Sequence, residues 1–285
     1  MASLATSAPA VTRLAVAGAL DHADPERTAL ILADIAAWDP DAVVWTGGFG
    51  RAPLPETARA LGPALAVPLA DDLRRRRGPF EDRFASGERW VVDAGGWRLV
   101  GMTGARIEEG VEAGFWLPRV LGVTASYAQA ITVVGGPPRS LVPDLPPSNA
   151  PRLAAIAREA AGGRLPLVIG GGSGANELFL PDGPWGLAVI VAGNAGAPGH
   201  AWPDRPVVGL QTDFARAVAA ERALDGDSRT PLAGWWTVTL GEEALAIGFR
   251  QLTERGMREV VRGAWTADTG WAFVHVSPGS AVERR

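Results

Sequence analysis

The chain of 285 residues is 47% hydrophobic, enough for a sizeable core, and carries a formal charge of −4. This acidic balance argues against the basic surface that nucleic acids and anionic membranes require, so neither is an expected partner. The chain has no Cys and all 27 of its basic residues are Arg, which excludes disulfides, thiolate nucleophiles, sulfur-ligated zinc and a lysine Schiff base.

Residues 1–12 read as a disordered or extended N-terminus without the basic start and long apolar run of a signal peptide. No apolar stretch reaches the length of a membrane span, and the expected compartment is the cytoplasm. The pattern predicts a buried strand over Val11–Ala17. A helix follows from Pro25 to about Trp38, with Asp24 as its cap and Leu30, Ile31, Ile35 and Trp38 on one face. Ala42–Trp45 is the next strand, Pro55–Leu61 a short helix and Ala64–Val67 a third strand. This β-loop-α spacing suits a parallel sheet with covering helices.

Trp90–Asp93 and Trp97–Met102 flank Gly95-Gly96 as a hairpin. A helix is expected around Leu117–Gln129, then a strand at Ile131–Val134, an amphipathic helix over Arg152–Ala161 and a strand at Leu167–Ile169. Further strands are expected at Leu187–Ala192 and Pro206–Leu210, a helix at Phe214–Leu224, and three β runs near Trp235–Leu240, Leu245–Leu252 and Trp271–Val276. No internal repeat or long linker divides the chain.

Five of the strands end in Gly-rich or acidic loops, where α/β folds place their chemistry. The loops begin Gly18-Ala19-Leu20-Asp21-His22, Thr46-Gly47-Gly48, Leu69-Ala70-Asp71-Asp72, Gly135-Gly136-Pro137-Pro138 and Gly170-Gly171-Gly172-Ser173-Gly174. In this order they resemble the calcineurin-like metallophosphoesterase superfamily with its metal ligands removed. Ala19 and Asp21 stand in the places of the Asp-x-His pair, and Gly48 stands where the bridging Asp would be. Leu69-Ala70-Asp71 occupies the place of Gly-Asn-His. Gly135-Gly136 replaces two histidines before Pro-Pro, and Gly171-Gly172-Ser173-Gly174 takes the place of Gly-His-Thr-His. The resemblance implies an α/β fold of two stacked mixed β-sheets flanked by helices, a four-layer sandwich with a pocket at the carboxyl ends of the strands. It implies one domain over residues 13–285, with C-terminal strands over 234–276 completing the second sheet.

The family's hydrolysis needs two cations roughly 3.5–4 Å apart, held by several convergent oxygen and imidazole donors. Gly and Ala supply none, and the only histidines are His22, His200 and His275. No metal or other cofactor is therefore expected, and dinuclear phosphoesterase activity is not. The first expectation is metal-free binding of a small organic molecule, with acid/base chemistry from Asp21 and Asp71, assisted by His22. Like-charge repulsion between two carboxylates would raise one pKa into a useful range. Gly48, Asp72, Gly136, Gly172, Ser173, Asn176, Asn194 and His200 are the candidate ligand-binding positions. A protein-binding scaffold and a hydrolase with one residual metal are the competing readings, and a homo-oligomer is compatible with any of them. Trp45, Trp90, Trp97 and Trp235 are expected in the core, and Trp116 and Trp202 near the pocket.

Overall fold

The computed structural model describes residues 12–18, 24–48, 61–69, 89–103, 109–122, 124–138, 149–174, 176–181, 186–193, 195, 233–253 and 255–275. The expected helices at Pro55–Leu61 and Phe214–Leu224 and the strand at Pro206–Leu210 lie outside them, Leu61 apart.

Two mixed sheets face one another. The first contains β1 (Thr12–Ala17), β2 (Ala42–Trp45), β3 (Ala64–Ala66), β10 (Gly234–Leu240), β11 (Ala244–Thr253), β12 (Gly256–Thr266) and β13 (Gly270–His275), in the order β13-β12-β11-β10-β1-β2-β3. The second contains β4 (Arg89–Ala94), β5 (Trp97–Thr103), β6 (Gln129–Gly135), β7 (Leu167–Gly170), β8 (Asn176–Phe179) and β9 (Ala188–Ala192), in the order β4-β5-β6-β7-β9-β8. Helix α1 (Pro25–Trp38) covers the outer face of the first sheet. Helices α2 (Glu109–Leu121) and α3 (Ala150–Ala161) cover that of the second. The four-layer expectation is met.

Alternation along the strands builds these layers. Leu14 and Val16 face the inter-sheet core, while Ala15 and Ala17 face α1. Ile131 and Val133 point inward, and Ala130 and Val134 point to α2 and α3. Trp45, Trp97 and Trp235 are 1% exposed or less and Trp90 is 7%, so the four expected core tryptophans are buried. Trp116, on α2, packs against the outer core with Arg89 over its ring.

Local chemistry sets the element ends. Asp24 accepts hydrogen bonds from the backbone of Glu26 at 2.9 Å and Arg27 at 3.2 Å, capping α1 as its position before Pro25 predicts. Gly95 and Gly96 have φ of 58° and 86°, the two left-handed residues that a tight β4–β5 hairpin needs.

Three elements differ from expectation. Helix α2 spans Glu109–Leu121, not 117–129, because distant side chains terminate it. Arg164 donates to the carbonyls of Leu121 at 3.1 Å and Gly122 at 2.7 Å, and the Tyr127 hydroxyl donates to Leu121 at 2.5 Å. Strand β8 emerges from what reads as a glycine loop. Strand β12 carries a bulge opposite Phe249 and Arg250 that breaks the period-2 pattern, so the sequence hides it.

Two charged clusters fasten the outer layers. Asp34 of α1 receives two hydrogen bonds of 2.6 Å from Arg250 of β11 and one of 2.9 Å from the Trp235 indole. The carboxylate holds the Arg250 guanidinium firmly protonated. Around Tyr127, Arg164 lies 4.2 Å and Arg98 4.9 Å from the ring centre on cation–π contacts. Burial raises the Tyr127 phenol above 10.0, against the opposing pull of the two guanidinium groups.

Asp34→Ala should lower stability by about 2 kcal/mol in urea unfolding, since it strands a half-buried arginine and an indole donor. The protein has a single tyrosine, so absorbance near 295 nm reads Tyr127 alone. Its titration should lie above pH 10 in the native protein and fall back on unfolding. The raised phenol stabilises the fold fully below the unfolded pKa. That contribution is lost as pH rises through the folded value, and Tyr127→Phe should remove the alkaline dependence.

Candidate functional site

The parallel strands β1, β2, β3, β5, β6, β7 and β9 end at one edge of the sandwich, and the described residues that follow β1, β2, β7 and β9 meet there. Thr46, directly after β2, is the centre of the contact. Its hydroxyl donates to the Ala192 carbonyl at 2.6 Å, and its backbone nitrogen to Ala17 at 3.0 Å. Side-chain atoms at Gly18 would collide with the Ala192 carbonyl and the Thr46 hydroxyl, and at Gly171 with the Thr46 backbone oxygen. The two sheets therefore touch through bare backbone, and only glycine permits that approach.

Beside Thr46, Leu69 fills the space between two other glycine loops. Its branched end lies against Gly47, and its two methyl groups stand 2.6 and 2.8 Å from where a Cβ on Gly172 would be. Gly47 and Gly172 have φ of 87° and 78°, left-handed conformations that resist a larger residue. In the family pattern the position of Leu69 carries Gly and that of Gly172 carries His. Leu69 is only half-buried, so it forms an apolar floor that faces the space above the strand ends.

The candidate positions fall into two groups. Gly48 and Gly136 are buried in their loops, with φ of 71° and 125°, and Gly172 lines the floor. Ser173 and Asn176 are both 1% exposed in the turn and strand that follow β7. These five are brought to the same end of the sandwich. Asp21, His22, Asp71, Asp72, Asn194 and His200 lie outside the described residues, so the acid pair is not placed.

The described part of the site does not fit a metal pair. Gly48 offers no side chain, Leu69 occupies the floor, and no group of three or more His, Asp or Glu gathers among the described residues. Its polar side chains are neutral hydroxyls and an amide. Thr46 is spent on Ala192, and Thr103 donates to the Pro68 carbonyl at 2.9 Å. Glu177, 1% exposed, alternates with the inward Leu178 and so faces the outer side of its sheet. Thr46 and Leu69 were not singled out from the sequence. The available signal was Leu69 itself, a large apolar residue where a glycine belongs. An open hollow of about 630 Å³ beside the C-terminal end of α3 lies on the outer helix layer, apart from this site.

No protein-family model matches the chain, and neither does any curated protein. Solved structures do. A purple acid phosphatase from yellow lupin (Lupinus luteus) seeds is 12% identical with a TM-score of 0.63, covering 90% of this chain and 54% of its own. The chain thus spans about half the length of that phosphatase. GAP50, the anchor in the inner membrane complex of Plasmodium, is 10% identical with a TM-score of 0.60, covering 87% of this chain and 88% of its own. PhoD is 11% identical with a TM-score of 0.59, covering 97% of this chain and 74% of its own. At these identities the likeness is one of fold, and the fold of this chain is that of the calcineurin-like metallophosphoesterases.

Proposed function

We propose that this protein is a metal-independent derivative of the metallophosphoesterase fold that binds a small organic molecule above its strand ends and lacks phosphoesterase activity. The observation that carries this reading is Leu69, lodged between Gly47 and Gly172 with part of its surface open. Neglect would leave a void or a disordered loop. The exchange of bulk between positions 69 and 172 instead keeps a shaped, apolar floor, which suits the body of an organic ligand. Ser173 and Asn176, both buried at that end, are the neutral polar groups we assign to its surroundings. Asp21 and Asp71, with His22, are the groups we assign to any acid/base step on the bound molecule, and specialised metabolism is the setting we assign to it.

A second reading, a protein-binding scaffold, has one observation in its favour: GAP50, which shares the fold, is described as an anchor. A fold hosts many functions, and this likeness carries no residue of the site. Only Leu30, Val91 and Phe115 are large exposed apolar residues among those described, scattered over two helices and a strand.

Elemental analysis of the purified protein should find substoichiometric Mn, Fe and Zn, and bis(p-nitrophenyl) phosphate with added Mn²⁺ should hydrolyse at the buffer rate. Two tightly bound metal ions per chain would overturn the reading. The packing of the floor has its own test. Gly171→Ala should cost about 3 kcal/mol in urea unfolding, because its Cβ would meet fixed backbone. Gly172→Ala should cost less, about 1–2 kcal/mol, mostly left-handed strain, because the Leu69 methyl groups can swing aside.

A further inference from the structure

The inner face of the C-terminal strands carries polar groups that the site above does not use. Val16 pairs with Trp236 and Gly234 with Gln251, so Gly234 and Gln251 stand level with Gly18 at the loop-bearing end of the sandwich. Phe249 faces the inter-sheet core, and the β10–β11 register is unbroken, so Gln251, two residues on, faces the same way. The β12 bulge places Glu259 opposite Arg250, after which Gln251 pairs with Arg258 and Leu252 with Met257. Leu252 and Met257 pack outward with the α1 cluster. Gln251 and Arg258 therefore both project inward, as neighbours on one face.

Neither is accounted for by the fold. Gln251 is 4% exposed and its Oε1 has no hydrogen-bond partner, a state that costs free energy unless something supplies a donor. Arg258 is half-buried and has no carboxylate partner among the described residues. The nearest acid on its strand, Glu259, faces outward and is held by Arg262 at 2.5 Å. Asn176, on the inward side of β8, adds a buried amide at the same end of the molecule.

We propose that Gln251 and Arg258 form an organic-acid subsite at the mouth of the inter-sheet space. The Arg258 guanidinium takes the carboxylate of the ligand, and Gln251 Oε1 accepts a hydrogen bond from a hydroxyl or N–H next to that carboxylate. The substrate class is a small organic acid bearing an adjacent donor. This subsite goes beyond the Leu69 reading: it lies on β11 and β12, on the side of the Thr46 contact away from Leu69.

Calorimetric titration of the full chain with salicylate, benzoate and phenol tests it, since the three differ only in the carboxylate and its neighbouring hydroxyl. Salicylate should bind about tenfold tighter than benzoate, the effect of one satisfied buried acceptor, and phenol should show no heat. Gln251→Leu should bring salicylate down to the benzoate affinity while raising Tm by a few degrees, because it removes the orphaned carbonyl. Arg258→Met should lose both acids, with an unchanged far-ultraviolet spectrum. Equal affinity of the two acids for the wild type, no binding of either, or unchanged affinities in both variants would overturn the subsite. The metal and phosphodiester assays do not depend on these residues, so either idea can fail alone. Two bound metal ions beside intact salicylate discrimination would remove the metal-free reading and leave the subsite.

Discussion

Bare backbone contact around Thr46 is the constraint on which the rest of this structure turns. The ends of β1, β2, β7 and β9 meet there with the Thr46 side chain between them, and its hydroxyl joins the two sheets through Ala192. Once Gly18 and Gly171 allow that approach, the ends of those four strands are held within one small region. The position of the site follows from this contact. So does its character, because strand ends so close together leave room for an aliphatic side chain and little more.

The outer layers are held by a different kind of interaction. Asp34 with Arg250 and Trp235 fixes α1 to the first sheet, and Arg164 with Tyr127 and the carbonyls of residues 121 and 122 fixes the end of α2 to the second. Both clusters join residues far apart in the chain, and in both an arginine satisfies groups that burial would otherwise leave costly. A chain without lysine can only use arginine here, and its planar fork suits both the carboxylate and the paired carbonyls.

Chemically, the described strand ends offer shape rather than charge. A metal pair would need convergent carboxylates and imidazoles, whereas the described strand ends present Leu69, glycine backbone and neutral hydroxyls. Molecules that fit such a surface have an apolar body and find their polar contacts at its margins. The inward amide and guanidinium of Gln251 and Arg258 lie two and three strands from Gly18, on the side away from Leu69. The likeness to a phosphatase and an anchor with the same fold places no limit on this choice, since fold and site vary independently.

Much of the architecture is legible in the sequence. The apolar runs of β1, β2, β6, β7 and β9, the Asp24–Pro25 cap and the Gly95–Gly96 hairpin act locally, through periodicity, capping and left-handed glycine. The order of five depleted loops points to the fold, because order and strand context survive when ligands do not. Elements set by distant partners are not legible: α2 ends where Arg164 reaches it, and the β12 bulge displaces its hydrophobic period. The sequence by itself determined that the loops lack most of the donors a metal pair needs, Asp21, His22, Asp71 and Asp72 being those that remain. Only the tertiary structure decided what stands in their place, because the fit of Leu69 between Gly47 and Gly172 joins residues whose separation along the chain carries no trace of their contact.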